Sequence, residues 1–257
     1  MTDRVGGRLG KAPAAPRPKD IILTEIVRAG AVLPMAPVGF GHYQVFPAAG
    51  WGMLGNDRYG DCVWAGAAHE TMMVNKMNGR DVEFNPAVVL ADYAAVTGFV
   101  PATGANDNGT DVHDALNYRR QTGVEDADLG RHKIGAYVSL EPGNWNQMLE
   151  ALVAFDFVAI GFEFPDYAMA EFNAGKPWWY RRGGTIEGGH YVPVVGRPHT
   201  SSIEVVTWGQ IQGMSRRFFE TYCDEAYGVL TVETLSAGGT SPEGLDLSAL
   251  QAAIAAL

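Results

Sequence analysis

The segment from Asn56 to His69 constrains this chain most, because a polar turn containing glycine runs directly into a helical pattern of small residues. It reads Asn-Asp-Arg-Tyr-Gly-Asp-Cys-Val-Trp-Ala-Gly-Ala-Ala-His and places Cys62 at the N-terminus of the predicted helix. Unpaired backbone N–H groups and the positive end of the helix dipole favour a thiolate there. Cys62 is therefore a candidate nucleophile; its alternative role is that of a small buried apolar side chain.

The segment from Glu187 to Gly196 supplies a candidate partner for this thiol. It reads Glu-Gly-Gly-His-Tyr-Val-Pro-Val-Val-Gly and sets His190 at the start of an apolar predicted strand. A reactive thiol and a distant imidazole are the two groups that nucleophilic acyl transfer needs.

The composition is that of a globular protein, with 257 residues, 47% hydrophobic and 19% charged. Its net charge of −10 argues against nucleic-acid binding by the main body. Two cysteines and six histidines make neither a disulfide framework nor a zinc knuckle, so we expect a reducing compartment and no metal or cofactor. Residues 1–20 lack the apolar core of a secretory signal, and no segment is apolar enough to span a bilayer. We therefore expect a soluble, cytoplasmic protein.

The chain divides into three predicted parts. Residues 1–50 begin with a basic, proline-containing arm, residues 51–235 form the main domain, and residues 236–257 are a Gly/Ser/Pro linker with a short apolar helix. The arm is either a tail or strap lying over the domain or a docking segment for an assembly or an acidic surface.

Within the main domain, helical periodicity precedes strand patterns. Helices are predicted at 62–78, 85–97, 110–123 (with Thr110 as N-cap) and 142–154, and strands at 134–140, 157–164, 190–195, 203–208 and 227–232. This order predicts an α+β fold with a helical half and a sheet half.

These residues resemble the papain-like cysteine peptidase superfamily. Segment 60–65 resembles the family's nucleophile segment, although the family's tryptophan directly follows its cysteine and here Val63 intervenes. Segment 189–196 resembles the strand of the catalytic histidine, and Val-Thr-Trp-Gly at 206–209 resembles the family's Asn-Ser-Trp-Gly element. The separation of 128 residues between Cys62 and His190 is close to the family's spacing of about 130–150. The resemblance covers about 51–232 and implies a helical half carrying the cysteine, an antiparallel sheet half carrying the histidine, and a peptide or protein substrate.

The resemblance also implies a role for each site residue. Cys62 would attack a carbonyl carbon as a thiolate paired with protonated His190, which would then protonate the leaving amine. Asn56, six residues before Cys62, falls where the family keeps a glutamine that completes the oxyanion hole. Trp208 would shield the histidine from water.

The position that orients the histidine departs from the family pattern. Aligned on Trp208, the family's asparagine falls on Val206, which cannot hydrogen-bond an imidazole. A slip of one residue would present the hydroxyl of Thr207, and Gln210 is a further candidate. The chain could thus be a working Cys-His dyad, a weak enzyme or a scaffold that has lost activity.

Two other functions remain open. One is a structural or assembly protein that keeps the fold and binds partners through the N-terminal arm and the C-terminal helix. The segments also resemble uncharacterised proteins of actinobacteria and their bacteriophages, which would make the chain virion-associated if it is phage-encoded. The other is acyl transfer to an amine, which would use the same residues.

The remaining motifs have structural explanations. Cys223 and His69 are predicted to be interior residues, and Trp178 belongs to an aromatic cluster typical of packing. The segment 106–111 looks superficially like a calcium loop but lacks its ligand spacing, so a turn followed by a helix cap is predicted.

Overall fold

The structure is a computed structural model that describes residues 4–17, 20–28 and 33–236. The predicted linker and C-terminal helix lie outside the described residues from position 237 onward. Among the helices that are described, none combines the length and the apolar character needed to cross a membrane.

The helices begin at recognisable capping residues. Asn85 accepts hydrogen bonds from the N–H groups of Ala87 and Val88, and Pro86 occupies the first helical position. Asn144 and Ser215 cap two further helices through their side chains. The helices are α1 (Leu23–Arg28), α2 (Cys62–Met77), α3 (Pro86–Thr97), α4 (Val112–Gln121), α5 (Trp145–Phe155), α6 (Asp166–Asn173), α7 (Arg216–Tyr222) and α8 (Val232–Ser236).

The strands form a main antiparallel sheet and a small two-stranded ribbon. They are β1 (Phe40–Gly41), β2 (Val124–Glu125), β3 (Arg131–His132), β4 (Ile134–Leu140), β5 (Val158–Pro165), β6 (Ile186–His199), β7 (Ser202–Thr207), β8 (Gln210–Ser215) and β9 (Cys223–Thr231). Within the described ranges the main sheet has the order β4-β9-β5-β6-β7-β8, and β1 pairs with β6. The ribbon consists of β2 and β3. The predicted α+β class is confirmed.

The main sheet separates two hydrophobic cores because alternate residues of a strand point to opposite faces. On β5, Ile160 and Phe162 join the core that contains α5 and α7, whereas Ala159 joins the core around α2, α3 and α4. On β6, Val192 and Val194 face the first core, and Tyr191 faces the second. This alternation decides which side chains can reach His190.

A buried ion pair holds the helical side against the sheet. Arg119 on α4 contacts Glu70 on α2 at 2.7 Å, and both side chains are almost fully buried. Tyr191 on β6 donates its hydroxyl to the same carboxylate at 2.6 Å. A buried pair of this kind is costly to break because the remaining charge would have no partner. The network therefore fixes the helix that begins with Cys62 against the strand that carries His190.

Most predicted helices and strands are confirmed. The differences concern one helix cap and several short elements. The α4 helix is capped by Asp111, not by Thr110, because the Asp111 carboxylate accepts from the N–H groups of His113 and Asp114. The helices α6 and α7 and the strand β8 were not predicted, because they are short and lack a clear periodicity. The domain boundary at residue 50 remains a prediction, and β1 lies before it while pairing with Arg197 and Gly196 of β6.

Candidate active site

Cys62 is the first residue of α2 and is 2% exposed. Burial raises the pKa of its thiol to about 12, although hydrogen bonds from the backbone of Tyr191 and Gly10 partly oppose the rise. The preceding residue, Asp61, is also fully buried, and burial raises the pKa of its carboxyl well above the usual range. The thiol is therefore protonated at neutral pH in this arrangement, and burial favours the protonated form of the neighbouring acid.

His190 lies on β6, 1% exposed, and its Nε2 is 2.7 Å from the hydroxyl oxygen of Thr207 on β7. Burial alone lowers the pKa of the imidazole to about 3, so the ring is neutral. Among the described residues, Nδ1 of His190 has no hydrogen-bond partner. One ring nitrogen is thus held by Thr207, while the other makes no hydrogen bond to the described residues.

The register of β6 and β7 explains why Thr207, and not Val206, lies within hydrogen-bond distance of the imidazole. Val194 of β6 pairs with Val205 of β7, and both face the core that contains α5 and α7. Two residues along β7, Thr207 points to the same face as His190, whereas Val206 packs on the opposite face. The one-residue slip considered from the sequence is the arrangement found. Gln210 instead pairs with Thr207 across the β7–β8 turn.

Trp208 covers the imidazole from a strained position in that turn. Its φ is 47° and that of Gly209 is 72°, as a two-residue hairpin of type I′ requires, yet tryptophan rarely adopts a positive φ. The indole stacks on the His190 ring with a centroid distance of 4.7 Å and an interplanar angle of 25°. Backbone strain at such a turn is typical of a functional site, and here it places an aromatic shield over the histidine.

Asn56 is buried in the turn before α2, and its side-chain amide faces the N-terminal arm. Its Nδ2 donates to the backbone carbonyl oxygens of Tyr59 at 2.9 Å and Arg8 at 3.1 Å. The Arg8 N–H donates in return to the Asn56 carbonyl at 2.7 Å. An amide that binds a peptide carbonyl here is suited to binding the oxyanion that such a carbonyl would become.

The arm itself brings the site residues together. Gly10 donates its N–H to the carbonyl of Gly189, next to His190, at 3.2 Å, and it packs so closely on Gly60, two residues before Cys62, that a Cβ on Gly10 would lie 1.9 Å from the Gly60 oxygen. Arg8 contacts Asn56, as described above. Residues 4–17 therefore run across Asn56, Cys62 and the start of β6, so the arm acts as a strap over the site. The ion pair of Cys62 and His190 expected from the sequence is disfavoured in this covered form, because burial neutralises both groups.

Lys11 anchors the strap in a pocket that sequence reasoning missed. Its ammonium lies 2.9 Å from Asp224 and 3.0 Å from Glu225, and its side chain is 0% exposed. Although burial lowers the pKa of Lys11, the two carboxylates outweigh it and raise the pKa above its usual value. The adjacent acidic pair at 224–225 and the isolated lysine of the glycine-rich arm were the only sequence signals.

The other residues singled out from the sequence have structural roles. His69 contacts the Gly52 carbonyl at 2.9 Å through Nε2, and the Cys223 thiol donates to the Glu225 carbonyl. Trp178 is buried in the core, and Asp107 accepts from the Gly60 N–H at 2.9 Å, which ties segment 106–111 to the turn before Cys62. Across the described ranges, His, Cys, Asp and Glu side chains do not cluster in threes in a way that could hold a metal ion.

We expect the buried histidines to make folding stability depend on pH below about 6.5. Burial lowers the pKa of His69 to about 4, so the unfolded chain binds a proton in this range that the native chain does not. The free energy of unfolding should therefore decrease as the pH falls, by about 2 kcal/mol for His69 at pH 5. Urea denaturation of wild type and His69→Gln at several pH values measures this. Equal pH slopes in the two proteins would contradict the assignment.

Comparison with known proteins identifies the fold. Scans find no matching family model and no matching curated protein. Among solved structures, the chain is similar to xylellain, a cysteine protease from Xylella fastidiosa, with a TM-score of 0.59, 15% identity, and coverage of 90% of this chain and 98% of that one. It is similar to procathepsin L 3 of Tenebrio molitor larval midgut, with a TM-score of 0.54, 12% identity, and coverage of 89% and 76%.

A third similar structure is procathepsin B S9 from Trypanosoma congolense, with a TM-score of 0.52, 12% identity, and coverage of 89% of this chain and 87% of that one. Identities this low establish the fold and not the activity. The protein therefore has the fold of the papain-like cysteine proteases, with Cys62 in a helix of its helical side and His190 in its antiparallel sheet.

Proposed function

We propose that the protein is a cysteine peptidase or amidase that hydrolyses peptide bonds with Cys62 as nucleophile and His190 as acid and base. The observation that carries this proposal is the hydrogen bond of 2.7 Å between Thr207 and Nε2 of His190 beneath the stacked Trp208. A histidine that only filled a core would need neither a strained tryptophan over it nor an orienting hydroxyl.

The proposed chemistry assigns one step to each of the site residues. Nδ1 of His190 accepts the thiol proton, and the Cys62 thiolate attacks the carbonyl carbon. The side-chain amide of Asn56 and the Cys62 N–H stabilise the oxyanion, and the imidazolium returns its proton to the departing amine. Water then hydrolyses the thioester with His190 as base, which regenerates the thiol. Thr207 accepts from Nε2–H and holds the ring in the required tautomer.

The arm must leave before a substrate can bind. A substitution can achieve this in the full chain, because a Cβ built on Gly10 would lie 1.9 Å from the backbone oxygen of Gly60. The three nearest atoms all belong to the Gly60 backbone, which cannot turn aside as a flexible side chain can, so Gly10→Ala should displace the strap. In this proposal, residues 1–50 are a covering segment of a domain at 51–235.

We expect Gly10→Ala protein to cleave peptides and Gly10→Ala/Cys62→Ala protein not to, a difference of at least about 1000-fold. The measurement is mass spectrometry of a peptide mixture after incubation with each variant. Equal cleavage by both variants would assign the activity to a contaminant. No cleavage by either, with Cys62 accessible to alkylation, would overturn the proposed function.

A second candidate is a non-catalytic assembly protein, and the filled cleft favours it. The strap covers Asn56, Cys62 and His190, and burial makes the thiol and the imidazole neutral. The resemblance to actinobacterial and phage proteins, virion association and partner binding through the arm and C-terminal helix belong to this candidate. It predicts that alkylation of Cys62 abolishes no enzymatic activity, because the protein has none.

A further inference from the structure

The Lys11 pocket is built for a cation. Its base is formed by Asp224 and Glu225, whose oxygens lie 2.9 Å and 3.0 Å from the ammonium. Tyr227 donates its hydroxyl to the second oxygen of Glu225 at 3.1 Å and so holds that carboxylate. The ammonium donates a third hydrogen bond, at 2.9 Å, to the carbonyl of Ala12, the next residue of the arm.

Glycines line the pocket where the lysine stem passes. A Cβ on Gly161 would lie 2.5 Å from Cδ of Lys11 and 2.6 Å from Cγ of Glu225. A Cβ on Gly189 would lie 3.1 Å from Cε of Lys11 and 2.4 Å from its backbone oxygen. Any other residue at either position would obstruct the stem or the strand beside it. These two glycines of the domain therefore leave the space that a long side chain needs.

The backbone around Lys11 is held as a peptide strand would be in a cleft. Lys11 donates its N–H to the Gly189 carbonyl at 3.0 Å, with antiparallel pairing. On the other side, Ala12 donates to the Thr110 carbonyl at 2.9 Å, and Thr110 donates to the Gly10 carbonyl at 2.8 Å. These bonds use only main-chain atoms of the arm, so any extended peptide could make them. The side-chain pocket is left to provide the selectivity.

A neutral occupant would leave the pocket electrostatically unsatisfied. The side chains of Asp224 and Glu225 are only 25% and 11% exposed, and they are adjacent like charges. Without a cation between them, two largely desolvated carboxylates would face each other. In addition, one oxygen of Asp224 has no hydrogen-bond partner among the described residues, which leaves an acceptor for the wider guanidinium fork.

We propose that this pocket is the main specificity pocket of the site and selects a lysine or arginine side chain of the substrate, with Lys11 as its internal occupant. The proposal rests on the proposed function, since it names the substrate class of the same cleft. Lys11 donates its N–H at 3.0 Å to the carbonyl of Gly189, the residue before His190, so the selected residue lies close to the bond that is cut.

The charge preference of the pocket can be measured without catalysis. In the full chain, Lys11→Met keeps the length of the side chain and removes its charge, whereas Lys11→Arg keeps the charge. We expect iodoacetamide to label Cys62 about 100-fold faster in Lys11→Met than in wild type, because the strap loses its anchor. Lys11→Arg should label as slowly as wild type. Equal, slow labelling of Lys11→Met would overturn a preference for cations.

Substrate selection is tested with Gly10→Ala protein and peptides that carry lysine, arginine, norleucine or glutamate at one position, scanned along the peptide. At a single position, lysine or arginine should raise kcat/KM about 100-fold over norleucine. Glu225→Gln should reduce that ratio to a few-fold. Glu163→Gln is the matched control, because Glu163 is an exposed carboxylate of β5 that is paired with Gly189 and does not bind Lys11.

The outcomes separate the two proposals. Cleavage that depends on Cys62 but shows no preference for basic residues overturns the pocket assignment and leaves the peptidase intact. A preference that Glu163→Gln reduces as much as Glu225→Gln also overturns it, because general surface charge would then explain the effect. If no peptide is cleaved, the peptidase and its specificity both fall, and the Lys11→Met labelling still decides whether the pocket demands a cation.

Discussion

Gly10→Ala is expected to raise the rate at which iodoacetamide labels Cys62 at neutral pH by about 1000-fold, since the reactive thiolate fraction grows tenfold for each unit by which the pKa falls. With the strap in place, burial raises the pKa of the thiol to about 12. The substitution places a methyl group 1.9 Å from the Gly60 oxygen, so the arm cannot keep its path. Once the arm leaves, the thiol regains solvent and the helix N-terminus can stabilise its anion.

Mass spectrometry of the labelled peptides measures this rate separately for Cys62 and Cys223. Cys223 is buried in the α5–α7 core beside the residues that bind Lys11, so its rate shows whether displacement of the arm also exposes that core. Ala14→Ser is the matched control, since it changes an exposed residue of the same arm without a clash. Equal rates in wild type, Gly10→Ala and Ala14→Ser would show that the strap does not restrict the thiol.

The pH dependence of labelling gives a second reading of the same change. In wild type, labelling should increase up to high pH, because the covered thiol loses its proton only near a pKa of about 12. In Gly10→Ala, the curve should level off at a lower pH. If the midpoint of Gly10→Ala is lower than that of Gly10→Ala/His190→Ala, the difference would indicate an ion pair of the thiolate with the imidazolium.

Thr207→Val is expected to lower kcat of the Gly10→Ala enzyme by about 100- to 10,000-fold, the range seen when the residue that orients a catalytic histidine is lost. Valine has the shape of threonine but cannot accept a hydrogen bond from Nε2 of His190. The imidazole would then lose its bond of 2.7 Å and could rotate beneath Trp208. KM should change little, because the hydroxyl does not lie in the proposed pocket.

Thr207→Ser keeps the hydroxyl and should restore most of the activity, which distinguishes a positioning role from a packing role. The measurement is kcat and KM for one good peptide substrate, with the pH profile of kcat for each variant. If Thr207→Ser loses as much activity as Thr207→Val, the methyl group and not the hydrogen bond is what matters. If Val206→Ala, which alters the opposite face of β7, has the same effect, general damage to the strand explains both.

Much of the helical side could be predicted because its signals are local. A glycine-containing turn, a run of small residues and a proline in the first helical turn specify α2 and α3 through backbone sterics and capping. Strand β4 was predicted with its observed ends, since its alternating burial is visible within seven residues. Cys62, Asn56 and His190 could be proposed as candidates from the sequence, because each lies in or beside a turn that contains glycine.

The partners of those residues depended on the tertiary structure. Whether Val206 or Thr207 reaches His190 is set by the pairing of β6 with β7, and a shift of one residue turns every side chain to the other face. The covering of the site by the arm, and the pairing of Lys11 with residues more than 200 positions away, are likewise long-range contacts.

The sequence by itself therefore determined the fold class, the helix that begins with Cys62 and the strand that begins near His190, because turn chemistry and periodicity act over a few residues. Only the tertiary structure brings Thr207 within hydrogen-bond distance of His190, lays the arm over the thiol and pairs Asp224 and Glu225 with Lys11. Those contacts arise from strand register and from burial of the arm, and burial also neutralises Cys62 and His190 by removing water from both.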